Sequence, residues 1–211
     1  MHIPDGFLST EVLAFMWLLT ILVLTFAVKK TNNRLSEKHV PMIGVLAACI
    51  FAAQMLNTPV AGGTSGHLLG SVLAAVILGP MTASIVMATV FFVQGIFFQD
   101  GGVTALGANI FNMGFMGTFV GYYVYVLIKK IVGGEAGKFI ALAVAAWLSV
   151  VLASAGTAIE IAVSGIIPMM VVLPAMVSIH VIVGLIEAGV SVAVIGFLAK
   201  TRPDLLTLEK V

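Results

Sequence analysis

Apolar runs of about the length needed to cross a bilayer recur along the whole chain, and no other feature limits its fold as tightly. The first extends from Thr10 to Val28 and stops at Lys29 and Lys30. A polar linker, Thr31 to His39, carries Arg34, Glu37 and Lys38, and a second run follows from Pro41 to Leu56. A loop rich in Gly, Thr and Ser, Asn57 to Gly66, leads into His67 to Phe98, which is too long for one span and is broken at Gly79-Pro80. Further runs cover Leu106 to Ile128, Phe139 to Glu160 and Val177 to Ala199. Composition agrees, with 61% hydrophobic and 9% charged residues and a mean hydropathy of +1.18. A water-soluble domain carries roughly a quarter charged residues, so the surface of this chain must face lipid. That excludes a soluble enzyme and a disordered tail. A single cysteine, Cys49, excludes a disulfide scaffold, and a net charge of +1 without a basic run excludes a nucleic-acid binder.

The expected fold is an all-α integral membrane protein, one transmembrane domain over residues 1–211. Charge decides the number of crossings, because Lys and Arg concentrate in cytoplasmic loops. With His67 to Phe98 read as two crossings hinged at Gly79-Pro80, the spans number seven and all 10 basic residues fall on one side. The N-terminus is then outside and the C-terminus cytoplasmic, with cytoplasmic loops at 29–39 and 129–138 and an outer Gly-rich loop at 57–67. His67 to Gly79 provides only about 20 Å of helix, so it spans with help from its neighbours. No Lys or Arg precedes the first apolar stretch, so no signal peptide is expected. Small residues at four-residue spacing, Gly44, Ala48, Ala52 and again Gly117, Gly121, suit close helix contacts within the bundle or with a partner subunit.

His2, His67 and His180 are expected toward the outer face, together with Asp5, Glu11, Asp100 and Glu160 and no neutralising base; His39 is expected to be solvated. Ligating groups without an opposing cation suit a divalent metal. His2 is the most informative of them. The terminal amine of Met1, the amide nitrogen of His2 and its Nδ1 form fused five- and six-membered chelate rings. Three nitrogens in a plane favour square-planar Ni(II) or Cu(II) over tetrahedral zinc, and His67 is placed to close the square. Pro4 and the Asp5-Gly6 turn stiffen the segment. The competing reading of residues 1–9 is a frayed terminus. Glu187 lies at membrane depth on the same helical face as His180, which makes both functional candidates. Asp5, Asp100 and Asn109, with Gln99 and Asn112, are candidates to orient ligands by hydrogen bonding.

Two motif lookalikes fail. Gly133 to Gly137 is one residue short of a nucleotide-binding loop and Phe139 follows Lys138, so no nucleotide is expected on this chain. Gly63-Thr64-Ser65-Gly66 suggests an intramembrane serine protease with Ser65 as nucleophile and His180 as base, but His180 to Gly184 is one residue longer than the His-x-x-Gly step. A structural membrane subunit, which would hold no stoichiometric metal, is a third reading.

Met1-His2-Ile3-Pro4-Asp5-Gly6-Phe7-Leu8, taken with the Gly-rich loop ending at His67, resembles the NikM/CbiM family. These are the substrate-binding membrane components of energy-coupling-factor nickel and cobalt transporters, and the resemblance covers essentially the whole chain. It implies a metal held by the amine of Met1, the backbone and imidazole nitrogens of His2, and His67. It implies a multi-pass protein of a prokaryotic plasma membrane that is not itself an enzyme. The implied partners are a transmembrane coupling subunit, two cytoplasmic ATPases and a small extra membrane subunit, with Gly44, Ala48 and Ala52 as the matching contact surface. The expected cargo is Ni(II), with Co(II) uptake for cobamide synthesis as the alternative.

Overall fold

Gly79, at φ 85° and ψ 157°, ends one helix and Pro80 begins the next in a computed structural model of the chain. The break expected at Gly79-Pro80 is therefore present: glycine takes the positive φ without steric penalty, and proline loses nothing at a first helical position. The structure describes residues 1–32, 37, 39–60 and 64–207. Arg34, Lys38, Gly62, Gly63 and Lys210, which entered the charge and loop arguments, lie outside the described residues.

Among the described residues, five helical segments are long and apolar enough to cross a membrane: α1 (Thr10–Asn32), α4 (Pro80–Phe97), the continuous stretch Leu106–Val132, α7 (Gly134–Val163) and α8 (Met169–Thr201). Leu106–Val132 comprises α5 (Leu106–Asn109), a π-helical turn (Ile110–Met116) and α6 (Gly117–Val132). The apolar α2 (His39–Gln54) has 16 residues and α3 (Ser71–Leu78) has 8. A short α9 (Pro203–Thr207) follows α8. At 1.5 Å per residue α3 is about 12 Å long, under half the hydrocarbon thickness. The expected His67 to Gly79 segment is not helical throughout: residues 67–70 are outside any helix, and α3 alone is shorter than the hydrocarbon thickness. Helix also enters both anticipated basic loops. α1 continues to Asn32, and only Gly133, at φ 69°, separates α6 from α7.

All eight residues of α3 are buried, and glycines on α6 let it in. A Cβ on Gly121 would meet Val72 Cγ2 at 2.2 Å, and one on Gly117 would meet Ser71 Cβ at 3.0 Å. The Gly117/Gly121 pair therefore serves packing inside the bundle. Around this centre, Phe15, Leu18, Leu22 and Phe26 of α1 are each more than half exposed, as a lipid-facing surface requires. The Gly-rich loop contains a small antiparallel hairpin, β1 (Thr58–Val60) with β2 (Thr64–Gly66), pairing Thr58 with Gly66 and Val60 with Thr64. The hairpin delivers His67 to the start of the buried segment that leads into α3.

Candidate metal centre

The first three residues are inside the protein. Met1 and Ile3 are fully buried and His2 is 3% exposed, so residues 1–9 are not a frayed terminus. Side chains and loops from several elements hold them there. Asn109 Oδ1 accepts from the Ile3 amide at 2.8 Å and its Nδ2 donates to the Ile3 carbonyl at 3.2 Å. The Gly102 amide donates to that same carbonyl at 2.8 Å. The Asp5 carboxylate accepts from the amides of Val103 and Thr104, at 3.2 and 2.8 Å, and from Thr104 Oγ1. These donors keep the Asp5 carboxyl below the usual carboxylate range, the Thr104 hydroxyl contributing most. α1 braces the same loop, with Trp17 Nε1 donating to Thr104 O at 2.8 Å and Thr20 Oγ1 to Gly107 O at 2.6 Å.

His67 arrives from the opposite side, directly after β2. The terminal amine of Met1 donates to the Ser65 carbonyl and lies 3.1 Å from Ser65 Oγ. The His2 and His67 rings stack with centroids 4.6 Å apart, and Phe91 meets His2 edge-on at 5.6 Å. His67 Nδ1 lies 2.7 Å from Leu68 O. That carbonyl can only accept, so Nδ1 carries the proton and Nε2 keeps its lone pair. Nε2 is buried and has no hydrogen-bond partner, and the same holds for both ring nitrogens of His2.

Burial fixes the protonation of the cluster. Desolvation lowers the amine from 8.0 to about 4, against a smaller raising effect of Asp100. Desolvation and the neighbouring amine lower His2 from 6.5 to about 3, and the same two causes put His67 well below its ordinary value. Neutral nitrogens with free lone pairs, buried without partners, are what a soft-to-borderline cation needs and what a fold left to itself avoids. Among the described residues no three His, Cys, Asp or Glu side chains converge. What converges is two imidazoles and an amine. Asp100 Oδ1 lies 3.3 Å from His2 Nδ1, and burial raises the Asp100 carboxyl above its ordinary value. A cavity of about 600 Å³ lined by His2, Asp5, Asn57 and Asp100 leads to the cluster.

The remaining sequence candidates divide. Asn109 and Asp5 hold the N-terminal segment, and Asp100 touches His2. Glu187 accepts from the amides of Leu69 and Gly70, just past His67. His180 is fully buried, with Nδ1 at 2.7 Å from Met176 O and Nε2 unpartnered. Asn112 is not at the cluster but donates to Glu160 at 2.9 Å. His39 is buried at the start of α2 rather than solvated. Among the described residues no hydrogen bond joins Ser65 Oγ to His180; Ser65 Oγ faces the Met1 amine instead. Gly44, Ala48 and Ala52 are all exposed along α2, and nothing lies within 4 Å of a Cβ built on Gly44. Two residues were missed: Gln54 and Gln94, both fully buried, with Gln94 Nε2 donating to Gln54 Oε1 at 3.0 Å. A glutamine near the end of an otherwise apolar helix was the available signal.

Fold and site together define a multi-pass membrane protein with a buried nitrogen-donor centre at its N-terminus. Residues 2–205 match CbiM, the cobalt uptake substrate-specific transmembrane region. The chain is 40% identical over 208 residues to the putative fused nickel transport protein NikMN of Archaeoglobus fulgidus, covering 98% of this chain and 68% of that one. It is 30% identical over 212 residues to the cobalt transport protein CbiM of Sorangium cellulosum, covering 98% and 94%. A crystal structure of a transition metal transporter superposes with a TM-score of 0.89 at 36% identity, covering 95% of this chain and 93% of that chain. The chain belongs to the NikM/CbiM family of nickel and cobalt transport proteins.

Proposed function

We propose that this chain captures Ni(II) outside the cell for ATP-driven uptake, holding it in a plane of four nitrogens: the Met1 amine, the His2 amide and Nδ1, and His67 Nε2. The observation that carries the reading is the burial of these neutral donors together, with the His2 and His67 rings stacked at 4.6 Å and three of their nitrogens unpartnered. Planar nitrogen coordination suits Ni(II), and nickel stands above cobalt in the divalent affinity series. Asp5 and Asp100 along the approaching cavity attract a cation from the outer side. The chain would bind metal and leave hydrolysis to two cytoplasmic ATPases, joined to it by a transmembrane coupling subunit. The exposed small-residue face of α2, Gly44-Ala48-Ala52, is the surface proposed for that subunit. A small extra membrane subunit would complete the system in a prokaryotic plasma membrane.

Titrating the C-terminally tagged protein with Ni(II) and Co(II), by calorimetry and visible absorption, tests the reading. One-to-one binding with the yellow band of planar nickel, tighter than cobalt, is the expected result. The family's description as a cobalt-uptake region favours a second reading, Co(II) capture for cobamide synthesis. Tighter cobalt binding without the planar-nickel band would select it. Binding of neither metal would contradict both.

A further inference from the structure

Residues 67–70, between β2 and α3, belong to neither strand nor helix, so their backbone groups must find partners elsewhere. Two helices provide them. From α8, Glu187 accepts with one carboxyl oxygen from the Leu69 amide at 2.9 Å and with the other from the Gly70 amide at 2.7 Å. From α2, Gln54 Nε2 donates to the Leu69 carbonyl at 2.6 Å. The carbonyl of the same peptide as the Leu69 amide, Leu68 O, is the acceptor that fixes the His67 tautomer. Gly70 stands at φ 76°, and a Cβ there would meet Ile50 of α2 at 2.9 Å, so the segment is held on this side by packing as well.

We infer that Glu187, together with Gln54, is a positioning residue for metal capture: it holds the peptide after His67 so that His67 Nε2 is aimed at the metal. The inference rests on the nickel site proposed above. Glu187, midway along α8, is 3% exposed, and Gln54, at the end of α2, is fully buried; polar side chains are expensive to bury unless hydrogen-bonded. Each is committed to the backbone that follows a ligand. Gln54 Oε1 also accepts from Gln94 Nε2 at 3.0 Å. A hydrogen-bonded chain thus runs from Gln94 of α4 through Gln54 of α2 to the Leu69 carbonyl. Partners that orient ligands in this way typically change metal affinity by about 10- to 100-fold when removed.

The test is a double-mutant cycle on the full chain, reading nickel affinity by chelator competition and the planar-nickel absorption band. Glu187→Gln keeps the size of the side chain but leaves an NH₂ group facing one of the two amides. It is expected to weaken nickel binding by about 10-fold or more and to shift the band toward that of His67→Ala. In a His67→Ala background the same change is expected to have no effect, since Glu187 acts only through that ring. Equal losses in both backgrounds, or undiminished affinity and an unchanged band in folded Glu187→Gln, would overturn the inference. If Glu187→Gln does not fold, Gln54→Leu taken through the same cycle decides by the same criteria. A native protein that binds no nickel would overturn the site itself, and this inference with it. Native binding with an additive cycle would overturn only the positioning role.

Discussion

Asn109 occupies both hydrogen-bonding positions of Ile3, accepting from its amide at 2.8 Å and donating to its carbonyl at 3.2 Å. One side chain, at the junction of α5 and the π-helical turn, thereby fixes the residue after His2 in depth and direction. Asn109→Ala leaves a buried amide without an acceptor, which costs about 1–3 kcal/mol. Nickel affinity is expected to fall about 10- to 100-fold, with a lower unfolding temperature in detergent. Thermal unfolding with and without nickel measures both.

Gly102 is a tighter constraint. A Cβ there would meet the Asp5 amide nitrogen at 2.3 Å and the Pro4 carbonyl carbon at 2.7 Å, both backbone atoms of the N-terminal segment. Gly102→Ala must move that segment and is expected to abolish planar nickel binding. Gly189→Ala, on α8 with nothing within 4 Å of its Cβ, is the matched control and should bind as the native protein does. Visible absorption of the two nickel-loaded proteins distinguishes them.

The protonation of the cluster gives a pH dependence of definite sign. The amine and His2 fall to about 4 and about 3 in the folded chain, from 8.0 and 6.5. As pH drops, the unfolded chain takes up these protons first. The stability they contribute is complete above about pH 8 and is lost as pH falls toward about 4, at about 1.4 kcal/mol per proton per pH unit. Without nickel, the protein is therefore expected to unfold more readily at about pH 5 than at about pH 8. With the amine and both imidazoles unprotonated at neutral pH, nickel held by the proposed donors is expected to displace only the His2 amide proton. Calorimetry in buffers of different ionisation enthalpy should count one proton released, and affinity should rise about tenfold per pH unit between about 6 and 8. Release of three protons would mean that the donors are not desolvated.

The α2 face makes a prediction that separates capture from transport. Replacing Gly44 or Ala48 by Leu enlarges an exposed surface far from the metal donors, so nickel binding by the isolated chain should be unchanged. Co-purification of the coupling subunit, and uptake by cells, should fall sharply. Loss of metal binding in these variants would place the small residues inside the fold of the site instead.

Sequence made some of this legible and hid the rest for identifiable reasons. The fold-back of the N-terminal segment could be expected from the stiffness of Pro4 and the Asp5-Gly6 turn, and the Gly79-Pro80 break because both residues have restricted helical roles. Charge patterning could not reveal that α3 is only eight residues long, since a run of apolar residues looks alike whether it is helical throughout or opens with a non-helical stretch. The hairpin at Thr58–Gly66 was missed because three-residue strands are too short to show alternation. Gln54 and Gln94 were missed because one polar residue in an apolar span does not disclose which neighbour it faces. Asn112 was read as a ligand-orienting donor for the same reason, whereas its side chain donates to Glu160.

The central claim is that the terminal amine of Met1 binds the metal. Its most direct test adds one or two residues before Met1, leaves every side chain in place, and titrates nickel into the extended and native proteins side by side. The amine then no longer shares a chelate with His2, and the buried position beside Ser65 cannot receive the longer chain. The expected result is loss of the planar-nickel band and of tight binding in the extended protein. An extended protein that binds nickel as tightly as the native one, with the same band, would contradict the account.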